Sequence, residues 1–137
     1  MTGHRYQLRI YYEDTDAGGI VYHAAYLRFA ERARTEALRD LGAPHSELVS
    51  RHQRMFVVRR ANLDYLRPAR LDEQLTVLTT REQLGAASLT LRQAMEGPNG
   101  PCVTAQIELA CISTTTGRPA RIPPDWRAAL ATLQAPP

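Results

Sequence analysis

The sequence predicts an α+β domain in which one long amphipathic helix packs on an antiparallel sheet of five strands. Two observations carry this. Apolar residues recur with helical spacing in one long stretch, about residues 23–41, while the stretches on either side read as strand. Beyond residue 54 those strands are separated by short glycine and proline turns, with Gly97-Pro98-Asn99-Gly100-Pro101 the strongest. The 137 residues are expected to form one domain over 1–137. A chain of that size buries about 68–70% of its unfolded surface.

Residues 4–12 (HRYQLRIYY) alternate as a first strand with Tyr6, Leu8 and Ile10 on one face, and Glu13 to Val21 is a turn-rich loop containing Gly18-Gly19. In the helix, Tyr26, Phe29, Ala30, Ala33, Ala37 and Leu41 form the apolar stripe, and Arg28, Glu31, Arg32, Glu36 and Arg39 stay off it. Gly42 with Pro44 two residues later is the stop signal. The remaining strands are placed at 54–67, 73–83, 86–95 and 102–115. The last shows the cleanest alternation, through Val103, Ala105, Ile107, Leu109 and Cys111. Pro123-Pro124 opens a short terminal helix to about Leu133, and residues 134–137 read as a frayed tail. One long helix cannot cover a five-stranded sheet and both its edges, so an edge-strand dimer is expected.

Composition excludes several chemistries. All 17 basic residues are arginine, which removes lysine Schiff bases and a P-loop. Arginine suits planar recognition of phosphate, although genomic composition bias is the plainer source of such a count. The arginines are scattered rather than striped with aromatics, against nucleic-acid binding. Cys102 and Cys111, nine residues apart on one strand, are about 30 Å from each other, too far for a disulfide. His4, His23, His45 and His52 show no ligand spacing, so no metal is expected. No apolar run reaches the roughly 18–20 residues of a membrane span and no secretory leader opens the chain, which points to the cytoplasm.

The segment YYEDTDAGGIVYHAAYLRFAERARTEALRDLG (residues 11–42) sets Glu13, Asp14 and Asp16 ahead of a helix start. A calcium loop beginning at Asp14 needs an oxygen ligand at its fifth position and glutamate at its twelfth, where this chain has Gly18 and Ala25. A carboxylate dyad needs two groups facing one centre, which the Gly-Gly loop does not secure. The chain has neither a Gly-x-Ser-x-Gly elbow nor a dinucleotide fingerprint. Taken singly, Asp16 reads as a turn or helix-cap residue, His23 as a helix-start histidine and Tyr12 as a strand-end aromatic.

Taken together, Asp14-x-Asp16-x-x-Gly19-x-Val21, Tyr26 five further on and the long helix resemble the hotdog-fold thioesterases of the 4-hydroxybenzoyl-CoA thioesterase type. The longer string YYEDTDAGGIVYHAAYLRFAERARTE, with DYLRPARLDEQLTV at residues 64–77, resembles the Tol-Pal-associated, YbgC-like acyl-CoA thioesterase subgroup. The resemblance spans about residues 5–115. One departure is Ala25, where relatives often carry Asn or Ser.

The resemblance implies hydrolysis of an acyl-CoA or acyl-carrier-protein thioester without a cofactor. It implies Tyr12, Asp16 and His23 as the catalytic residues. Substrate would lie along Gly19, Ile20, Val21 and Tyr22, in a homodimer or dimer of dimers whose sites sit between chains. Arg59, Arg60, Arg67 and Arg70 are the arginines expected to meet the coenzyme A phosphates. Asp16 would serve as general base or as nucleophile, His23 as a positioning group and Tyr12 as an orienting hydroxyl. The competing reading is a non-hydrolytic module that holds acyl groups or acyl-carrier protein near the cell envelope.

Overall fold

The computed structural model describes residues 3–137. Strand β1 (His4–Arg9) leads through a single 3-10 turn (Tyr12–Asp14) and the glycine loop into α1 (Ala25–Asp40). Helix α2 (His45–His52) follows, then β2 (Arg54–Tyr65), β3 (Gln74–Leu84), β4 (Ser88–Gly97), β5 (Gly100–Ser113) and α3 (Pro124–Ala131). The strands form one antiparallel sheet in the order β1-β3-β4-β5-β2, so β1 and β2 are its edges.

Alanine makes the helix–sheet approach close. Ala25, Ala30, Ala33 and Ala37 are buried along α1 together with Tyr26 and Phe29, while Leu41 is half-buried. This face meets Leu8, Ile10, Leu75, Val77 and Met95 in one core cluster. A second cluster gathers Leu48, Leu89, Leu91, Ile107, Leu109, Trp126 and Leu130, so α2 and α3 complete what α1 does not reach. Gln93 is a polar side chain buried between helix and sheet. Its amide nitrogen donates to the Ala30 carbonyl at 2.9 Å and to Thr79 Oγ1 at 3.1 Å, and Arg34 donates to its oxygen at 3.1 Å. A buried amide with its partners in place carries little penalty.

Three expectations need correction. The first strand ends at Arg9 rather than at residue 12, because the Tyr11 and Tyr12 carbonyls close a tight turn on Asp14 and Thr15. No second helix is expected between Gly42 and residue 54, yet α2 begins directly after Pro44, which serves as its N-cap. The tail is tied down at Gln134, whose carbonyl accepts the Arg81 N–H at 2.8 Å and whose side-chain oxygen accepts the Gly3 N–H at 3.1 Å. The two cysteines are free and buried. Cys102 falls at the register shift between β4 and β5, which lets it pack in the first cluster although it alternates out of phase with Val103 and Ala105.

Candidate active site

The three carboxylates ahead of α1 have different fates. Glu13 is exposed. Asp14 is 6% exposed and belongs to the fold. It accepts the Tyr11 N–H at 2.9 Å, stands 3.5 Å from Arg28, and its own carbonyl accepts the Tyr22 N–H at 2.9 Å. Asp16 is exposed and accepts one side-chain hydrogen bond, from the Gly18 N–H at 2.8 Å.

The loop that carries Asp16 is closed on itself and stitched to its neighbour. The Asp16 N–H donates to the Ile20 carbonyl at 2.8 Å and the Gly19 N–H to the Asp16 carbonyl at 3.1 Å. Gly19 has φ +78°, the left-handed region where a side chain would be strained. Thr15 pairs with Val21, Ile20 pairs with Arg70, and the Val21 N–H donates to the Ala69 carbonyl at 2.9 Å. Asp16 is thus presented at the tip of a defined turn.

His23 sits at the start of α1, exposed, with its ring 4.6 Å from that of Tyr22. No side chain caps the helix at Ala24, and no acidic residue lies in its first turn. The positive end of the helix dipole is therefore unneutralised beside His23. Ala25 is buried there, its N–H on the Tyr22 carbonyl at 2.8 Å, and its methyl adds no hydrogen bond to the loop.

Ile20, Val21, His23 and Tyr26 form one wall of a cleft of about 330 Å³, and Tyr65, Leu66, Arg67 and Pro68 form the other. Two tyrosines hold these walls in place. The Tyr65 hydroxyl donates to the His23 carbonyl at 2.9 Å, and the Ala69 N–H donates to the Tyr26 hydroxyl at 3.2 Å. Their rings meet edge-to-face at 5.8 Å. Burial pushes the Tyr26 phenol above its ordinary pKa, so it remains a neutral acceptor. In the sequence, Tyr26 belongs to the apolar stripe of α1, and Tyr65 carries no assigned role. The one signal for Tyr65 was its place at the end of a strand shortly before Pro68.

The structure brings His23, Ile20, Val21 and Arg67 to the cleft, with Arg70 beside it through the Ile20 pairing. Asp16 and Gly19 lie in the adjoining turn, and Tyr22 flanks the ring of His23. Tyr12 is 82% exposed and enters the local hydrogen bonding through its carbonyl, which accepts from Thr15. Arg59 and Arg60 are elsewhere, 2.5 and 3.8 Å from Glu108. They lie five and six residues up β2 from Tyr65, about 16–20 Å at strand rise. Among the described residues no group of His, Cys, Asp and Glu is placed to hold a metal.

The family model described as the thioesterase-like superfamily matches residues 11–130. The chain belongs to that superfamily. Within it, the chain is 38% identical over 132 residues to the acyl-CoA thioesterase YbgC of Haemophilus influenzae, covering 96% of this chain and 97% of that one. It is also 38% identical over 120 residues to the acyl-CoA thioester hydrolase YbgC of Escherichia coli O6:H1, covering 87% and 89%. Among solved structures, a probable thioesterase from Bartonella henselae superposes with a TM-score of 0.84 at 39% identity, covering 89% of this chain and 100% of that chain. The thioesterase-like superfamily thus accounts for the hotdog architecture, a five-stranded antiparallel sheet curled on α1.

Proposed function

We propose that this chain is a thioester hydrolase acting on acyl-CoA. One juxtaposition carries the reading: a cleft, His23 and the uncapped start of α1 lie together, next to the turn that presents Asp16. Hydrolysis of a thioester passes through an oxyanion, and backbone N–H groups at a free helix start stabilise negative charge there without reorganising. A carboxylate at the mouth either activates water or attacks the carbonyl first. Asp16 fills that role, since Asp14 is occupied by Tyr11 and Arg28. The leaving thiolate has a parent pKa of about 8.5 if it resembles cysteine, so it departs without obligatory protonation. His23 then positions water or substrate. Tyr12 supports the turn.

The names of the relatives supply coenzyme A as the thiol carrier, and acyl-carrier protein is the second carrier to assay. Arg67 and Arg70, at the cleft, are the better placed of the four expected arginines for its phosphates. The working assembly is a dimer through β2. This edge strand leaves Val58 51% and Tyr65 52% exposed, a surface that invites pairing. Light scattering at micromolar concentration is expected to give a dimer or a multiple of it, and a stable active monomer would remove this element. Among the described residues no helix is long and apolar enough to cross a membrane, and the proposed compartment is the cytoplasm.

The activity is tested by thiol release from acyl-CoA substrates of graded chain length. Turnover with at least one of them is the expected result. Retention of acyl-CoA by the folded protein without release would instead favour a binding module.

A further inference from the structure

Alanine lets α1 lie close to the sheet but does little to fix where along its axis the helix lies. Ala30, Ala33 and Ala37 are buried on that face. Methyl groups make shallow ridges and grooves, so packing alone resists sliding weakly. Gln93 meets this smooth face from β4, the middle strand of the sheet. Its side chain is completely buried, and both ends of its amide grip one turn of the helix. The nitrogen donates to the Ala30 carbonyl at 2.9 Å, and the oxygen accepts from the Arg34 guanidinium at 3.1 Å. Those residues are four apart in α1, so the carbonyl that Gln93 takes is also the helical acceptor of the Arg34 N–H. A carbonyl has two lone pairs and serves both. The second amide hydrogen goes to Thr79 Oγ1 at 3.1 Å, which holds Gln93 against the neighbouring strand β3.

The orientation of this amide is forced. A flipped Gln93 would set acceptor against acceptor at Ala30 and donor against donor at Arg34. Burial lowers the pKa of Arg34, with Glu31 opposing, and the Gln93 oxygen meets this partly buried charge. Other polar ties join the start of α1 to irregular segments, Tyr26 to Ala69 and Arg28 to Asp14. Gln93 ties α1 to the middle of the sheet. A directional bond in a dry interior is strong and specifies one arrangement. Ala30 lies five residues from Ala25, about 7.5 Å along the axis, so a rigid helix transmits a slide at Ala30 to its start and to His23.

We propose that Gln93 is a positioning residue for the thioester hydrolysis proposed above. It fixes the axial register of α1, and thereby sets His23 and the N–H groups of the helix start against the cleft. The effect on turnover rests on the hydrolase reading, and the effect on the helix rests on the hydrogen bonds alone. Misplacement by about 1 Å costs about 10²-fold in rate, so a register loosened but not lost is expected to cost about 10-fold.

Gln93→Met keeps the length of the side chain and removes its hydrogen bonds. Gln93→Glu keeps the acceptor for Arg34 and loses the donor to Ala30. Thr79→Val leaves one amide hydrogen of Gln93 unpaired but keeps both of its bonds to the helix, and is the destabilised control. For the full chain and each variant, kcat and KM on one acyl-CoA are measured with melting temperature and backbone amide chemical shifts. Both Gln93 variants are expected to lose about 10-fold in kcat with KM within about two-fold. The amide shifts of Ala24, Ala25 and Tyr26 should move with them. Thr79→Val is expected to melt lower, with its kcat and those shifts near the unsubstituted values. Equal kcat losses in the Gln93 variants and Thr79→Val, or a loss confined to KM, overturn the positioning role. Unmoved shifts at the helix start in the Gln93 variants overturn it as well. The shifts need no substrate, so an unsubstituted chain without turnover would strike the hydrolase reading and leave the register of α1 to be decided by the spectra.

Discussion

Asp14, in the 3-10 turn, is 6% exposed, holds the Tyr11 N–H and faces Arg28. Asp16, in the glycine loop two residues later, is exposed and holds only the Gly18 N–H. The residue type is the same and the neighbourhood nearly so, yet the fold consumes one carboxylate and leaves the other exposed in the turn that leads into the cleft wall. The turn spends its carboxylate on the backbone and a guanidinium, and the loop leaves its own exposed, as the proposed role of Asp16 requires. Spacing in the sequence does not distinguish them. What distinguishes them is where the backbone N–H groups end up.

Asp16→Asn keeps the size and can still accept from Gly18. Its kcat is therefore expected to fall about 10²-fold or more with the melting temperature unchanged, as loss of a base or nucleophile requires. Ordinary thiol release by the folded variant would return Asp16 to a turn role. His23→Ala is expected to lose less, about 10- to 100-fold, as befits an orienting group whose leaving thiolate needs no proton. The same fractional loss should appear on a thioester of a more acidic aromatic thiol. A defect that vanishes on that activated substrate would make His23 the proton donor.

Asp14→Asn should act on stability instead. Its Oδ1 faces a guanidinium, so an amide nitrogen there sets donor against donor, at a cost of about 1 kcal/mol for a partly exposed ion pair. Thermal unfolding measures this, and an unchanged melting temperature would deny Asp14 its structural part. Tyr65→Phe tests how firmly the cleft is held. Losing the bond to the His23 carbonyl, worth about 1 kcal/mol, should lower kcat a few-fold while leaving KM nearly constant. An effect on KM alone would mean that Tyr65 touches substrate rather than holding His23.

The smallest effect concerns a second histidine. His45 accepts the Phe56 N–H at 3.1 Å through Nε2, and burial lowers its pKa. The unfolded chain then binds a proton more readily than the folded one. Stability should fall as pH drops through the unfolded value of about 6.5 and level off below the folded one. Replacing His45 with Gln should flatten that part of the stability–pH curve. An unchanged curve would assign the acid sensitivity to other groups.

Much of this was legible in the sequence. Helix α1 announced itself because its alanine and aromatic stripe runs for more than four turns, and β5 because its alternation is almost unbroken. Helix α2 was not legible. It has eight residues and buries only Leu48, too little for a periodicity to show. Its signals were the conformational one of Pro44 before it and the charges along it, Glu47 in its first turn and Arg51 and His52 in its last. It also ends on Gln53 at φ 51° rather than on glycine, so the usual stop mark is missing. In the candidate site, the turn that carries Asp16 and the helix start beside His23 could be read from their string because chain neighbours define them. Tyr65 could not, because its partner carbonyl lies 42 residues away and only the packing of the α1 start against the end of β2 brings the two together.

The most direct measurement of the division between the two aspartates is a ratio. Thiol release from one acyl-CoA substrate is measured for Asp14→Asn and Asp16→Asn, each expressed per folded molecule at a temperature where both variants are folded. The Asp14→Asn protein is expected to work at least about 10²-fold faster than the Asp16→Asn protein, the size of a lost acid–base or nucleophilic group. A ratio near one, or one that favours Asp16→Asn, would contradict it.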